Sequence, residues 1–185
     1  MQAKIHQILS RADHLETRLC ILLNASSRRT VVRLIFRAIS RLGDGVLWYT
    51  LIAFLPYLYG MQGIYQAAHV MLTASVVLLV YKFLKQKLVR ERPFINCDII
   101  QQAAPALDRY SFPSGHTMHA VSFSIMFSLY LPQISVLIWG FTVLVALSRV
   151  ILGLHYPTDV FAGALLGCVI ALSSLVLVPP LTFPL

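Results

Sequence analysis

Between Asp44 and Lys82 the chain carries no Asp, Glu, Lys or Arg, and the same holds between Arg109 and Arg149 and from Asp159 to the C-terminus. The outer faces of a soluble domain need charge, so runs of this length read as segments made for hydrocarbon. Composition agrees: 58% of the 185 residues are apolar and 12% are charged, against about 45–50% and about 25% in soluble proteins. A water-soluble globule is excluded. The first run is too long for one span and is interrupted by Tyr59-Gly60-Met61-Gln62-Gly63; the second is interrupted by Leu131-Pro132-Gln133. Two helical hairpins follow, over 45–60 with 65–86 and over 114–131 with 134–153. A fifth span over 158–178 is ended by Pro179-Pro180. The expected fold is all-α, a polytopic membrane bundle of about five transmembrane helices.

The first 43 residues differ. Ile5, Ile8, Leu9, Ala12, Leu15, Leu19 and Leu22 recur at helical spacing with Lys4, Arg11, His14 and Arg18 between them. Val31, Leu34, Ile35, Ala38 and Leu42 form a second stripe, while Arg29, Arg33, Arg37 and Arg41 repeat every fourth residue. Neither stretch is apolar enough to span, and the first lacks the unbroken apolar run of a signal peptide. Two amphipathic helices lying in the headgroup region and touching anionic lipid are expected; a pair packed on the bundle with no lipid role is the alternative. The chain thus divides into an interfacial pair over 1–43 and a membrane bundle over 44–185. In a membrane protein the net charge of +8 points to anionic lipid or phosphate, and no nucleic-acid partner is expected. Cys20, Cys97 and Cys168 are odd in number and widely spaced, which suits neither a disulfide framework nor a zinc site.

Counting spans places three polar clusters on one side of the membrane. In the first, Lys85 and Arg92-Pro93 are seven residues apart, which on a helix puts both cations on one face, with Pro93 ending that helix. Such a pair suits a phosphate, Lys as a point charge and Arg as a fork; snorkelling at a span end is the alternative. The second, Pro113-Ser114-Gly115-His116, opens a helix and offers backbone N–H groups and a hydroxyl to an anion, or is a plain Ser cap with a bystander His. The third is Ser148-Arg149 followed by His155-Tyr156-Pro157-Thr158-Asp159. On the first turn of its helix Asp159 can reach the ring of His155 and fix its tautomer, leaving one nitrogen as nucleophile or base. Alternatively, Arg149 and Asp159 form an ion pair between two helices.

Taken together, Lys85-x6-Arg92-Pro93, Pro113-Ser114-Gly115-His116 and Ser148-Arg149-x5-His155-x3-Asp159 resemble the three-part signature of the type 2 phosphatidic acid phosphatase superfamily. The resemblance implies a metal-independent membrane phosphatase, needing no cofactor, that passes a phosphoryl group through a phosphohistidine. It implies His155 as nucleophile, Asp159 as the carboxylate orienting it and His116 as the acid on the leaving oxygen. Lys85, Arg92, Ser114, Gly115 and Arg149 would cradle the phosphate, and His119 would serve packing or support. The substrate would be a lipid phosphate: phosphatidate, phosphatidylglycerophosphate or undecaprenyl diphosphate. A transferase passing the phosphoryl group to another lipid is the alternative. A vanadate-dependent oxidant fits this composition poorly, and a non-catalytic transporter or scaffold has no need of the three clusters. The commoner bacterial pattern has six spans; here the amphipathic pair replaces the first. The membrane would be a bacterial inner membrane. The eight basic residues ahead of the first span (Lys4, Arg11, Arg18, Arg28, Arg29, Arg33, Arg37 and Arg41) would turn the site toward the cytoplasm by charge bias, whereas the family habit is an extracytoplasmic site.

Overall fold

A computed structural model describes residues 2–106 and 108–179, with side chains from His14 onward. The described chain is mostly helical: α1 (Gln2–Ala25), α2 (Thr30–Arg41), α3 (Leu47–Lys87), the single turn α4 (Pro93–Asn96), α5 (Gly115–Tyr130), α6 (Ser135–Ile151) and α7 (Pro157–Leu177). Among the described residues there is no strand, only one isolated bridge between Glu91 and Tyr110. The stripe positions Ile5, Ile8, Leu9 and Ala12, with Lys4 and Arg11, lie outside the described side chains, as does Pro180.

Both expected hairpins form. Helix α3 breaks at Gly60, whose φ of 55° and ψ of −129° belong to a region open to glycine alone. The chain then doubles back so tightly that a Cβ on Gly63 would lie 2.0 Å from the Leu55 carbonyl oxygen. The two arms of α3 with α5, α6 and α7 give the five rods. By length and apolarity the stretches Thr30–Lys87, Pro132–Ile151 and Pro157–Leu177 are able to cross a membrane, and this is an integral membrane protein. Helix α5, with 16 residues, is shorter than the ~20 residues a span needs. It sits in the middle, packed by α3, α6 and α7. Trp48 stacks on its Phe123 at 5.0 Å between ring centroids, with Leu55, Val70, Met126, Phe127 and Val145 buried around them.

The N-terminal helices use their faces in an unusual way. The inward face of α1 is polar, with Glu16, Cys20, Asn24 and, just beyond it, Ser27 buried, while Leu15, Leu19 and Leu22 are exposed. Asn24 ties two loops together: its side-chain amide donates to the carbonyls of Gln101 (3.0 Å) and Ile151 (2.9 Å) and its oxygen accepts from the Gln101 N–H (2.8 Å). On α2, Val31, Leu34 and Ile35 also face outward. Both helices therefore pack on the bundle with the described part of their apolar stripes left on the outside, which is where lipid would lie. At the end away from these loops, a buried network joins His69 to the hydroxyls of Tyr130 (2.7 Å) and Ser174 (2.8 Å), and Ser174 to Thr73 (2.7 Å). Its four residues sit on three separate rods, and nothing in their spacing announced the contact.

The close approach of α5 and α7 fixes where their first turns meet. Added Cβ atoms on Gly163 and Gly167 would lie 2.5 Å from the Ser114 carbonyl oxygen and 2.3 Å from that of Met118, so only small residues at this four-residue spacing allow the crossing. The N–H of Ser114 donates to the carbonyl of Asp159 at 3.1 Å, locking the two helix starts together. Gly167→Ala is expected to force the helices apart and cost about 1–3 kcal/mol. Gly140→Ala, where a Cβ meets nothing within 4 Å, is expected to be neutral or slightly stabilising. Thermal unfolding in detergent checks the pair; equal melting temperatures would show that the crossing has slack.

Candidate active site

The three sequence clusters meet at one end of the bundle. Lys85, on the last turn of α3, and Arg92 are both buried, so neither snorkels to water. They do not share a helix as the seven-residue spacing predicted. Helix α3 stops at Lys87, and Arg92 is extended at φ −74°, ψ 154°, the conformation imposed on a residue before proline. Pro93 opens α4 rather than ending α3. What brings the two cations together is Asp108, whose Oδ1 lies 3.2 Å from Lys85 Nζ and 3.1 Å from Arg92 Nη2. Arg92 further donates through Nε to the Asp108 carbonyl (2.8 Å) and through Nη1 to that of Leu154 (2.9 Å). Burial would raise the Asp108 pKa, but Lys85 and Arg92 outweigh it and hold the carboxyl below its usual range. A carboxylate thus sits between the two cations.

His155 lies on the short turn between α6 and α7. Its Nε2 faces Arg92 Nη1 at 3.4 Å and its Nδ1 faces Asp159 Oδ2 at 3.7 Å. Burial, aided by the Arg149 and Arg92 charges and opposed by Asp159, pushes the imidazole pKa down to about 3, so the ring is neutral at pH 7. Asp159 is fully buried at the start of α7. Pro157 occupies the first helical position, and Asp159 Oδ2 accepts from the Tyr156 N–H at 2.8 Å, which closes the first turn on itself. The ion pair of Asp159 is with Arg90 at 2.8 Å, not with Arg149 as one reading of the sequence had it. Arg149 is buried, bonded through Nη1 to Ser40 Oγ of α2, and its Nε meets no acceptor among the described residues.

At the start of α5 the Ser114 hydroxyl bonds Thr117 Oγ1 (3.0 Å) and makes no capping bond to the backbone. Gly115 is the residue that fits, since a Cβ there would lie 2.8 Å from the Tyr81 ring. His116 Nε2 contacts Asp44 Oδ1. His119 Nδ1 donates to the Gly115 carbonyl at 3.0 Å. Beside His116 and Asp44 a cavity of about 420 Å³ opens among Trp48, Tyr49, Leu78 and Tyr81, with a mainly apolar lining. Among the described residues no three His, Cys, Asp or Glu side chains gather as a metal site.

Four residues that the motif reading did not single out carry much of the geometry: Asp44, Arg90, Asp108 and Glu16, the last bonded to Arg90 and Thr158. A signal was present. The chain has only 7 acidic residues, and in a membrane protein a scarce carboxylate near a span is costly and therefore worth a role.

A family model of the PAP2 superfamily matches residues 65–183, and the chain belongs to that superfamily. It is 39% identical over 57 residues to a lipid A 1-phosphatase of Rhizobium etli, a stretch covering 31% of this chain and 25% of that protein. The chain thus spans about a quarter of that relative's length. The crystal structure of Aquifex aeolicus LpxE matches with a TM-score of 0.73 and 25% identity, over 85% of this chain and 93% of that one. A transmembrane PAP2-type phosphatidylglycerolphosphate phosphatase from Bacillus subtilis shares the fold, with a TM-score of 0.74 and 24% identity over 97% and 91% of the two chains.

An anion seeking Lys85 and Arg92 would have to compete with the Asp108 carboxylate. Asp108→Asn is expected to tighten inhibition of turnover by orthovanadate about tenfold, roughly one like charge removed at contact distance. Weaker inhibition in the variant would show instead that Asp108 is needed to hold the cations in place.

Proposed function

We propose that this protein is an integral-membrane lipid phosphatase, hydrolysing the phosphate monoester or diphosphate of a lipid through a phosphohistidine. The observation that carries the reading is the position of His155: a neutral imidazole with Nδ1 toward a buried carboxylate and Nε2 toward a guanidinium. In this reading the phosphate displaces the Asp108 carboxylate from Lys85 and Arg92, and Arg149, Ser114 and the N–H groups opening α5 complete the cradle. Nε2 of His155 attacks phosphorus, the ester P–O bond breaks, and His116 gives its proton to the leaving oxygen. His116 then takes a proton from water, which attacks the phosphoimidazole and releases orthophosphate. Asp159 holds the Nδ1 proton and stabilises the charge that forms on the ring. Positive charge fixed around the transferring oxygens supplies most of what phosphoryl transfer asks of a protein.

The substrate class is a membrane lipid phosphate: phosphatidate, phosphatidylglycerophosphate or undecaprenyl diphosphate, with lipid A among the candidates because one relative is a lipid A 1-phosphatase. The division of labour is an interfacial helix pair over 1–43 on anionic lipid, supported by the outward Leu15, Leu22, Val31 and Leu34, and a catalytic bundle over 44–185. The membrane is a bacterial inner membrane with the site on its extracytoplasmic side. Basic residues on helices that lie in the headgroups and pack on the bundle need not follow the loop-charge rule.

Phosphate release from each lipid by detergent-purified protein, with EDTA present, tests this. Release is expected to survive EDTA and to fall at least ~10³-fold in His155→Ala; unchanged turnover in that variant would remove the enzyme reading. Because His155 is neutral down to about pH 3, acid is expected to inactivate kcat/KM well below pH 5, as His155 takes up a proton. An acid limb near pH 6.5, the ordinary histidine value, would contradict that environment.

A further inference from the structure

Arg90 stands two residues before the signature Arg92 and has a different set of partners. Its Nη1 donates to Asp159 Oδ1 (2.8 Å) and to Thr158 Oγ1 (2.7 Å), its Nη2 pairs with Glu16 Oε1, and its guanidinium carbon lies 3.9 Å from the centroid of the Tyr156 ring. Glu16 belongs to α1, is itself buried, and accepts the Thr158 hydroxyl with its second oxygen. The Asp159 carboxylate is therefore held at both oxygens, Oδ1 by Arg90 and Oδ2 by the Tyr156 N–H. Held so, it has no freedom to rotate, and Oδ2 is the oxygen that faces His155.

We propose that Arg90, clamped by Glu16 of the N-terminal helix, is a positioning residue for Asp159 and through it for His155. The proposal rests on the phosphohistidine reading above. It makes α1 a working part of the site rather than an anchor alone. The charges alternate along a chain from Glu16 through Arg90 and Asp159 to His155. Arg90 by itself would draw charge away from Asp159 and weaken its support of the ring; Glu16 on the far side of the guanidinium offsets that, leaving the trio with one net negative charge. The two partners also fix Arg90 as charged, since Asp159 and Glu16 raise its pKa beyond what burial takes away. The other charged groups facing His155 are Arg92, ahead of α4, and Arg149 of α6, with Asp159 of α7, and none of these changes in the variants below.

The charge chain predicts opposite effects from its two outer members. Arg90→Gln leaves the trio more negative, so His155 becomes more basic and the acid limb of kcat/KM moves up by about one pH unit. Glu16→Gln leaves it neutral and moves the limb down. Arg90→Gln is also expected to lower kcat roughly ten- to a hundredfold, in line with residues that orient a catalytic group without touching substrate, with KM little changed. Arg90→Lys, which keeps the charge and loses the fork, is expected to recover part of kcat and leave the limb in place. The experiment is turnover of the preferred lipid phosphate by wild type, Arg90→Gln, Arg90→Lys and Glu16→Gln across pH, with His155→Ala as blank. Wild-type kcat in Arg90→Gln, or limbs that stay put or move the same way in Arg90→Gln and Glu16→Gln, would overturn the proposal. A wild type no more active than His155→Ala would strike the phosphatase reading instead. The same opposite shifts, read from the His155 imidazole by NMR, would then decide the positioning role without turnover.

Discussion

The end of the bundle that holds the three motifs exists only because its cations have been given carboxylates. Lys85, Arg90, Arg92 and Arg149 are withdrawn wholly or largely from water, and each buried ion carries a desolvation cost of several kcal/mol. Asp108 offsets Lys85 and Arg92, while Asp159 and Glu16 offset Arg90. Arg149 is the exception, with a hydroxyl from Ser40 and no carboxylate within ion-pair distance among the described residues. This is the arrangement expected of a site kept ready for an anion. Part of its positive charge is neutralised internally, and Arg149 has no carboxylate partner among the described residues.

The helices supply the rigidity that such a site needs. Backbone groups cannot be left unpaired in hydrocarbon, so the spans are closed helices, joined by short turns at one end, and the long irregular loop lies at the other. There the loop over 97–114 is pinned from several sides. Asn24 holds it at Gln101, Arg37 of α2 donates to the Ala103 carbonyl, and the Ser111 N–H donates to the Arg90 carbonyl at 2.7 Å. The α5–α7 crossing does the rest, because the glycines that let the two backbones touch also place the carbonyl of Ser114 against Gly163 and its N–H against Asp159. Packing in the bundle and geometry in the site are thus one problem solved by the same small residues.

Much of this was legible in the sequence, and the parts that were not have a common cause. Charge silence located the rods to within a few residues, since hydrocarbon tolerates no other pattern, and the motif spacing named His155, Asp159, His116 and the cations. Periodicity failed at Lys85 and Arg92, where a helix was assumed to run on through residues that the following proline holds extended. The alternative pairing of Asp159 with Arg149 also fell away, because Arg149 and Arg90 are equally basic on paper and only the fold decides which one reaches. The inward face of α1 was invisible for a related reason: its polar residues at positions 16, 20 and 24 look like the solvated side of an amphipathic helix. In a membrane protein inside and outside exchange their usual chemistry, and an apolar stripe can be the outer face.

That exchange bears on how the proposed reaction begins. A cradle with bare cations would bind any phosphate firmly and would be hard to bury; a cradle already holding Asp108 binds by substitution. Phosphate entering between Lys85 and Arg92 replaces one carboxylate with a group of higher charge and more acceptor oxygens, so the gain is the difference between two anions rather than the whole attraction. The displaced carboxylate is on a partly exposed loop and can return to water at little cost, unlike Asp159, which is sealed under α1. The two aspartates differ in burial and in partners, Asp108 partly exposed on Lys85 and Arg92 and Asp159 buried on Arg90 and the Tyr156 N–H; in the proposed reaction the first would give way to substrate and the second would keep His155 in line.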